Sequence, residues 1–182
     1  MPGSYTIKDQ HAIYFLTFQI VAWVDIFTRK CYKDIVVDAF NFCVDNKQLQ
    51  VHAWVIMSNH VHCIVNSACG ALSDTVRDLK RHTAKYILLG IEEVSESRKD
   101  WILYQFRLGG RQQAGNKQFQ VWTHENHAVE INPYIKDMGK SKMDYIHANP
   151  VRAGYVENPE DYLYSSARDY AGLKGLIKLA MW

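Results

Sequence analysis

The chain has 182 residues, 48% of them apolar and 13% aromatic, which excludes a disordered protein and one that needs disulfides or a structural metal to hold a core. Its net charge of +2 excludes the strongly basic class in which charge alone announces a nucleic-acid partner, so any such partner must be argued from where the charges sit. No apolar run reaches the roughly 18 residues that cross a bilayer, the Met1-Pro2-Gly3-Ser4 start leads into polar sequence, and the four cysteines form no CxxC pair; the expectation is a cytoplasmic chain with no membrane role.

Residues 12–24 (AIYFLTFQIVAWV) are aromatic and β-branched and are predicted as a strand. Over 34–46, Ile35, Val36, Ala39, Phe40, Phe42 and Cys43 recur at helical spacing, which predicts an amphipathic helix. Residues 50–57 and 60–66 read as two more strands, and the Ser58-Asn59 break makes them a hairpin. A second helix is expected to open near Ser73 and run to about Leu89, with Val76, Leu79, Thr83, Tyr86 and Ile87 as its inner stripe. Residues 90–118, with their charge cluster and the Gly109-Gly110 and Gly115-Asn116 pairs, read as irregular. A short fourth strand is expected at 119–123 (FQVWT). A last helix is expected from Asn132-Pro133 to Asn149, stopped by Pro150.

That order gives an α+β fold: a βαββαβ ferredoxin-like sandwich with one antiparallel sheet, followed by a C-terminal helix and a tail. A single domain over 1–182 is expected, with its core at about 12–150 and an extension at about 151–182. Such a fold hosts many functions, so the chemistry has to come from side chains.

Two patterns carry it. In His60-Val61-His62 the strand period of two puts both imidazoles on one face, about 7 Å apart, while Val61, Cys63 and Val65 face the core. Two imidazoles so placed can chelate one metal ion, although an HxH pair by itself is also compatible with two histidines satisfied by water. In Tyr145-Ile146-His147-Ala148-Asn149-Pro150, Tyr145 and Asn149 lie one helical turn apart and share a face. Singly, each admits an ordinary structural role.

Together, HAWVIMSNHVHCIV (52–65) and DYIHANPVRAGYV (144–156) resemble the HUH single-tyrosine transposases of insertion sequences. The likeness is greatest to their REP-associated tyrosine transposase branch, which PEDYLYSSARDYAG (159–172) also resembles. The resemblance implies that His60 and His62 are metal ligands, Asn149 a third ligand, and Tyr145 the nucleophile. It also implies a reaction: attack on a phosphodiester of single-stranded, hairpin-forming DNA, leaving a 5′-phosphotyrosine and a free 3′-OH. Oxygen donors and a phosphate substrate favour Mg²⁺ or Mn²⁺.

DNA contacts are expected from a basic stripe, Arg77, Lys80, Arg81 and Lys85, and from Lys136, Lys140, Lys142 and Arg152 around the tyrosine helix. His127 is a candidate accessory residue, and His147, off the Tyr145 face, reads as structural or as a DNA contact. Two other readings stay open: a DNA-binding protein of the same fold that does not cut, and a nuclease whose nucleophile is metal-bound water. A monomer and a homodimer are equally compatible with the pattern.

Overall fold

The computed structural model describes residues 6–93, 95–111, 118–132 and 134–181. Its elements are β1 (Tyr14–Gln19), α1 (Lys30–Lys47), β2 (Leu49–Ile56), β3 (His60–Ser67), α2 (Leu72–Glu93), α3 (Lys99–Arg111), β4 (Val129–Glu130), α4 (Met138–Arg152) and α5 (Ala167–Tyr170). The sheet is antiparallel with strand order β2-β3-β1-β4, the arrangement expected of a ferredoxin-like sandwich.

Strand periodicity divides the side chains between two faces. Leu16, Phe18, Ile20, Val61, Cys63 and Val65 join the large core under α1, α2 and α3. Phe15, Val55 and Ile64 meet Ile146 of α4 in a smaller cluster on the other face. A register shift between Val51 and Ala53 in β2 changes the strand's parity. Leu49 and Val51 on one side of it, and Trp54 and Ile56 on the other, therefore all enter the large core. The tail runs along β2: Tyr164 O accepts from Ile56 N, Ser166 N donates to Trp54 O, and Ala180 N donates to Val51 O. That edge is thus covered.

The expected elements needed four corrections. β1 ends at Gln19 because Ala22 and Trp23 take left-handed backbone (φ 53° and 56°), which an extended strand cannot pass. Residues 119–123 are not a strand. They make one bridge, Trp122 to Ile20, and the strand that pairs with β1 on the side away from β3 is Val129–Glu130. The stretch expected to be irregular contains α3, whose Ile102, Phe106 and Gly109 are buried at helical spacing. Gly109-Gly110 is a packing feature there, since a Cβ on Gly109 would sit 2.7 Å from Val21 Cγ1.

The last helix is shorter at its start and longer at its end, Met138–Arg152, and runs through Pro150. Proline removes one donor, but Ala153 N still donates to Asn149 O, and left-handed Gly154 (φ 73°) follows the last turn. Tyr86, expected in the inner stripe of α2, is exposed, whereas Val76, Leu79, Thr83 and Ile87 are buried. The Gly115-Asn116 turn and the Pro133 start lie outside the described residues.

One buried contact ties α2 to the segment beside β1. Trp122 Nε1 donates to Thr83 Oγ1 at 2.9 Å, and Thr83 Oγ1 donates in turn to Leu79 O at 2.9 Å. Thr83→Val keeps the volume but orphans the indole N–H, so it should lower unfolding stability by about 1–3 kcal/mol. Urea unfolding should show a lower midpoint at an unchanged slope; an unchanged midpoint would mean the bond contributes nothing.

Candidate active site

The site forms on the α4 side of the sheet. His60 and His62 project there from β3, opposite Gln19 and Thr17 of β1. Their ring centroids are 4.6 Å apart. Each ring is held through Nδ1. Asn59 Oδ1 accepts from His60 Nδ1 at 2.7 Å, and Thr17 Oγ1 shares a 2.8 Å hydrogen bond with His62 Nδ1. With hydrogen on Nδ1, the lone pair of each imidazole sits on Nε2, the tautomer a metal ligand needs. Phe15 stacks on His62 with centroids 5.3 Å apart and fixes its plane.

Tyr145 is carried to the same place by α4. Ile146, fully buried beside Phe15, Val55 and Ile64, anchors the helix to the sheet. The preceding residue then falls over the histidines: the Tyr145 ring lies 5.4 Å from His62 and 6.1 Å from Phe15, while staying 41% exposed. Asn149, one turn on, donates from Nδ2 to Tyr145 O at 2.9 Å, which leaves its amide oxygen as the acceptor on that face. Among the described residues, no group of three or more His, Cys, Asp or Glu converges. The amide oxygen of Asn149 is a donor of a type that divalent cations accept beside imidazoles.

Electrostatics suit ligation. Burial lowers the pKa of His60, and burial followed by the neighbouring His60 and Lys142 charges lowers that of His62 to about 3. Both rings are therefore neutral, with free lone pairs, at physiological pH. The residues present fit a divalent cation.

The expected basic residues separate into two groups. Lys142 Nζ lies 4.9 Å from the Phe15 ring centre and Arg152 lies 5.9 Å from that of Tyr145, so both flank the site. Lys136 is exposed ahead of α4, and Lys140 pairs with Asp144 at 2.6 Å. The stripe Arg77, Lys80, Arg81 and Lys85 belongs to α2, whose buried face packs on the opposite side of the sheet. There Arg77 and Arg81 pair with Asp74 and Asp78. Lys80 donates to Thr123 O and Asn126 Oδ1, both at 2.7 Å, and burial lowers its pKa to about 8. Lys85 lies against Tyr86. His127 has left-handed backbone (φ 41°) and stands 3.8 Å from Glu125, along the β1 edge from the histidines. His147 faces away from Tyr145 and shares a 2.9 Å hydrogen bond with Ser166 Oγ, tying α4 to the tail.

Sequence reasoning missed Phe15, Thr17 and Asn59. The signal for the first two was the alternation of β1, which puts Phe15, Thr17 and Gln19 on one face once the pairing with β3 is known.

Residues 12–107 match the family model described as transposase, IS200-like. That span holds the histidine hairpin and stops short of Tyr145. A solved structure of a REP-associated tyrosine transposase bound to a REP hairpin superposes with a TM-score of 0.65 at 18% identity, over 98% of this chain and 92% of that one. No curated protein sequence matches the chain.

The depressed imidazoles have a measurable consequence for folding. An unfolded histidine takes up a proton near pH 6.5, whereas His62 refuses it until about pH 3 and His147, lowered by burial, until about pH 4. The unfolded chain binds more protons in that window, so stability is full above about 6.5 and declines as pH falls toward 3. NMR should find the His62 ring neutral at pH 5, with a lower urea midpoint there than at pH 7; a ring titrating near 6.5 contradicts the burial.

Proposed function

The chain belongs to the IS200-like transposase family, and from that premise we propose that it cuts and rejoins single-stranded DNA through attack of Tyr145 on a phosphodiester. The observation that carries this reading is the approach of the Tyr145 ring to 5.4 Å from His62 within one chain. His60, His62 and Asn149 would hold a divalent cation, Mg²⁺ or Mn²⁺, which when bound offsets charge on the non-bridging phosphate oxygens.

The chain's own residues do the rest. Thr17, Asn59 and Phe15 fix the imidazoles, so no reorganisation is needed when substrate arrives. Ile146 holds α4 against the sheet and keeps the phenol over the phosphate position. The Tyr145 oxygen gives up its proton and forms a bond to phosphorus. The bond from phosphorus to the 3′ oxygen breaks, and that oxygen leaves as a 3′-OH after taking a proton. A 5′-phosphotyrosine remains. A phenolate leaves more readily than an alkoxide, so a 3′-OH can attack the adduct and restore a DNA strand without external energy. Lys142 and Arg152 flank the rings and supply positive charge along the DNA backbone.

Palindromic hairpin DNA is the substrate form this reading favours, supported by the fold shared with a transposase whose structure holds a REP hairpin. The REP-associated branch is the assignment within the family that goes with it.

Labelled hairpin-forming single-stranded DNA, incubated with protein and Mg²⁺, should yield a covalent adduct visible as a shifted band on a denaturing gel. Tyr145→Phe keeps the ring and the packing and should abolish the adduct. Cleavage that survives Tyr145→Phe would point to a water nucleophile, and wild-type protein that binds without cleaving would point to a binding protein.

A further inference from the structure

Around Gln19, the β1 residue paired with His60, a cavity of about 460 Å³ opens at the end of β1, lined by Trp23, Gly109, Gln120, His124 and His127 among others. It is within the size range of small-ligand sites. We infer that this cavity receives an unpaired nucleobase next to the phosphodiester being cut, with the Trp23 indole as its stacking face. The inference rests on the strand-cutting reading above and names a recognition site for it.

Three observations meet here. First, Trp23 is 69% exposed, although a ring of that size is ordinarily placed where its apolar face is covered. Second, the backbone is strained to put it there. Five non-glycine residues among those described have positive φ, and three of them, Ala22, Trp23 and His127, line this one cavity. Left-handed backbone in such residues persists only where surrounding structure holds it, and it concentrates at ligand sites. Val21 N donates to Val121 O at 2.9 Å, and α3 packs so closely behind the turn that no side chain fits at Gly109.

Third, the cavity is wired to the site. Asn59 Nδ2 donates to Trp23 O at 3.4 Å, while Asn59 Oδ1 accepts from His60 Nδ1. Gln19 lies directly opposite His60 in the β1–β3 register, and its Nε2 donates to Asn59 O at 3.0 Å. Gln19 thus lines the cavity and lies across one strand pair from His60, which puts the cavity on the path of a chain bound at the imidazoles. On a DNA strand whose phosphate sits there, the group that follows that path is a base. Stacking on indole suits any base, because every base has a π-face.

The probes are short labelled homo-oligonucleotides of dT, dA, dC and dG, together with an all-abasic oligomer of the same length. Wild-type protein should bind the base-bearing oligomers more tightly than the abasic one. Trp23→Ala should weaken the base-bearing oligomers by about 5- to 100-fold, leave abasic binding unchanged, and so erase the preference. Trp23→Phe, which keeps a stacking face, should retain most of it. Equal abasic binding by wild type and Trp23→Ala also reports an intact fold. A Trp23→Ala protein with full base preference overturns the inference while leaving the Tyr145 chemistry standing. Wild-type protein that binds none of the oligomers, or binds the abasic one as tightly as the rest, overturns the inference, and the Tyr145 adduct assay on hairpin DNA then decides the functional reading separately.

Discussion

The antiparallel register between β1 and β3 is the constraint on which the site depends. Pairing Thr17 with His62 and Gln19 with His60 turns two strand-alternate imidazoles toward α4, and gives each a neighbour that limits its rotation. A slip of one residue would send both rings into the core under α1 and α2 and turn Val61, Cys63 and Val65 out toward α4. The register is secured by those same core residues, which are fully or almost fully buried. The sheet's packing on one face thus sets the chemistry available on the other.

The second requirement is that α4 be held at a fixed height over the sheet. Ile146 inserts between Phe15, Val55 and Ile64, a burial of roughly 1.5–3 kcal/mol. His147 reaches Ser166 on the far side, and Ser166 Oγ in turn accepts from Trp54 N. The helix is therefore gripped on both sides of Tyr145, whose ring stays open to solvent between the two grips. A phenol on a well-anchored helix and imidazoles on a well-anchored hairpin keep their separation without a bound group to organise them.

How much of this was legible in the sequence follows from what sets each element. The hairpin at Ser58-Asn59, α1 and the inner stripe of α2 come from periods of 2 and 3.6 residues that the chain displays locally, and the structure has them close to where they were expected. The end of β1 was hidden because two left-handed residues, Ala22 and Trp23, carry no glycine or asparagine signal. Helix α3 was hidden because Gly109-Gly110 reads as a turn, whereas its purpose is to let Val21 approach. The pair His60 and His62 was visible as a motif. Thr17, which fixes one ring, was not, since its role comes from a pairing between β1 and a hairpin some 40 residues away in sequence, and Asn59, beside His60, reads in the sequence only as a turn residue.

The central claim is that one chain brings two neutral imidazoles and a phenol to a common gap of ionic size. Anomalous scattering from a crystal soaked in Mn²⁺ tests it most directly. A single peak is predicted at about 2.0–2.3 Å from Nε2 of both His60 and His62, with Tyr145 of the same chain facing it. A chain with no peak between the imidazoles, or with a peak there and Tyr145 turned away toward another copy, would contradict the account.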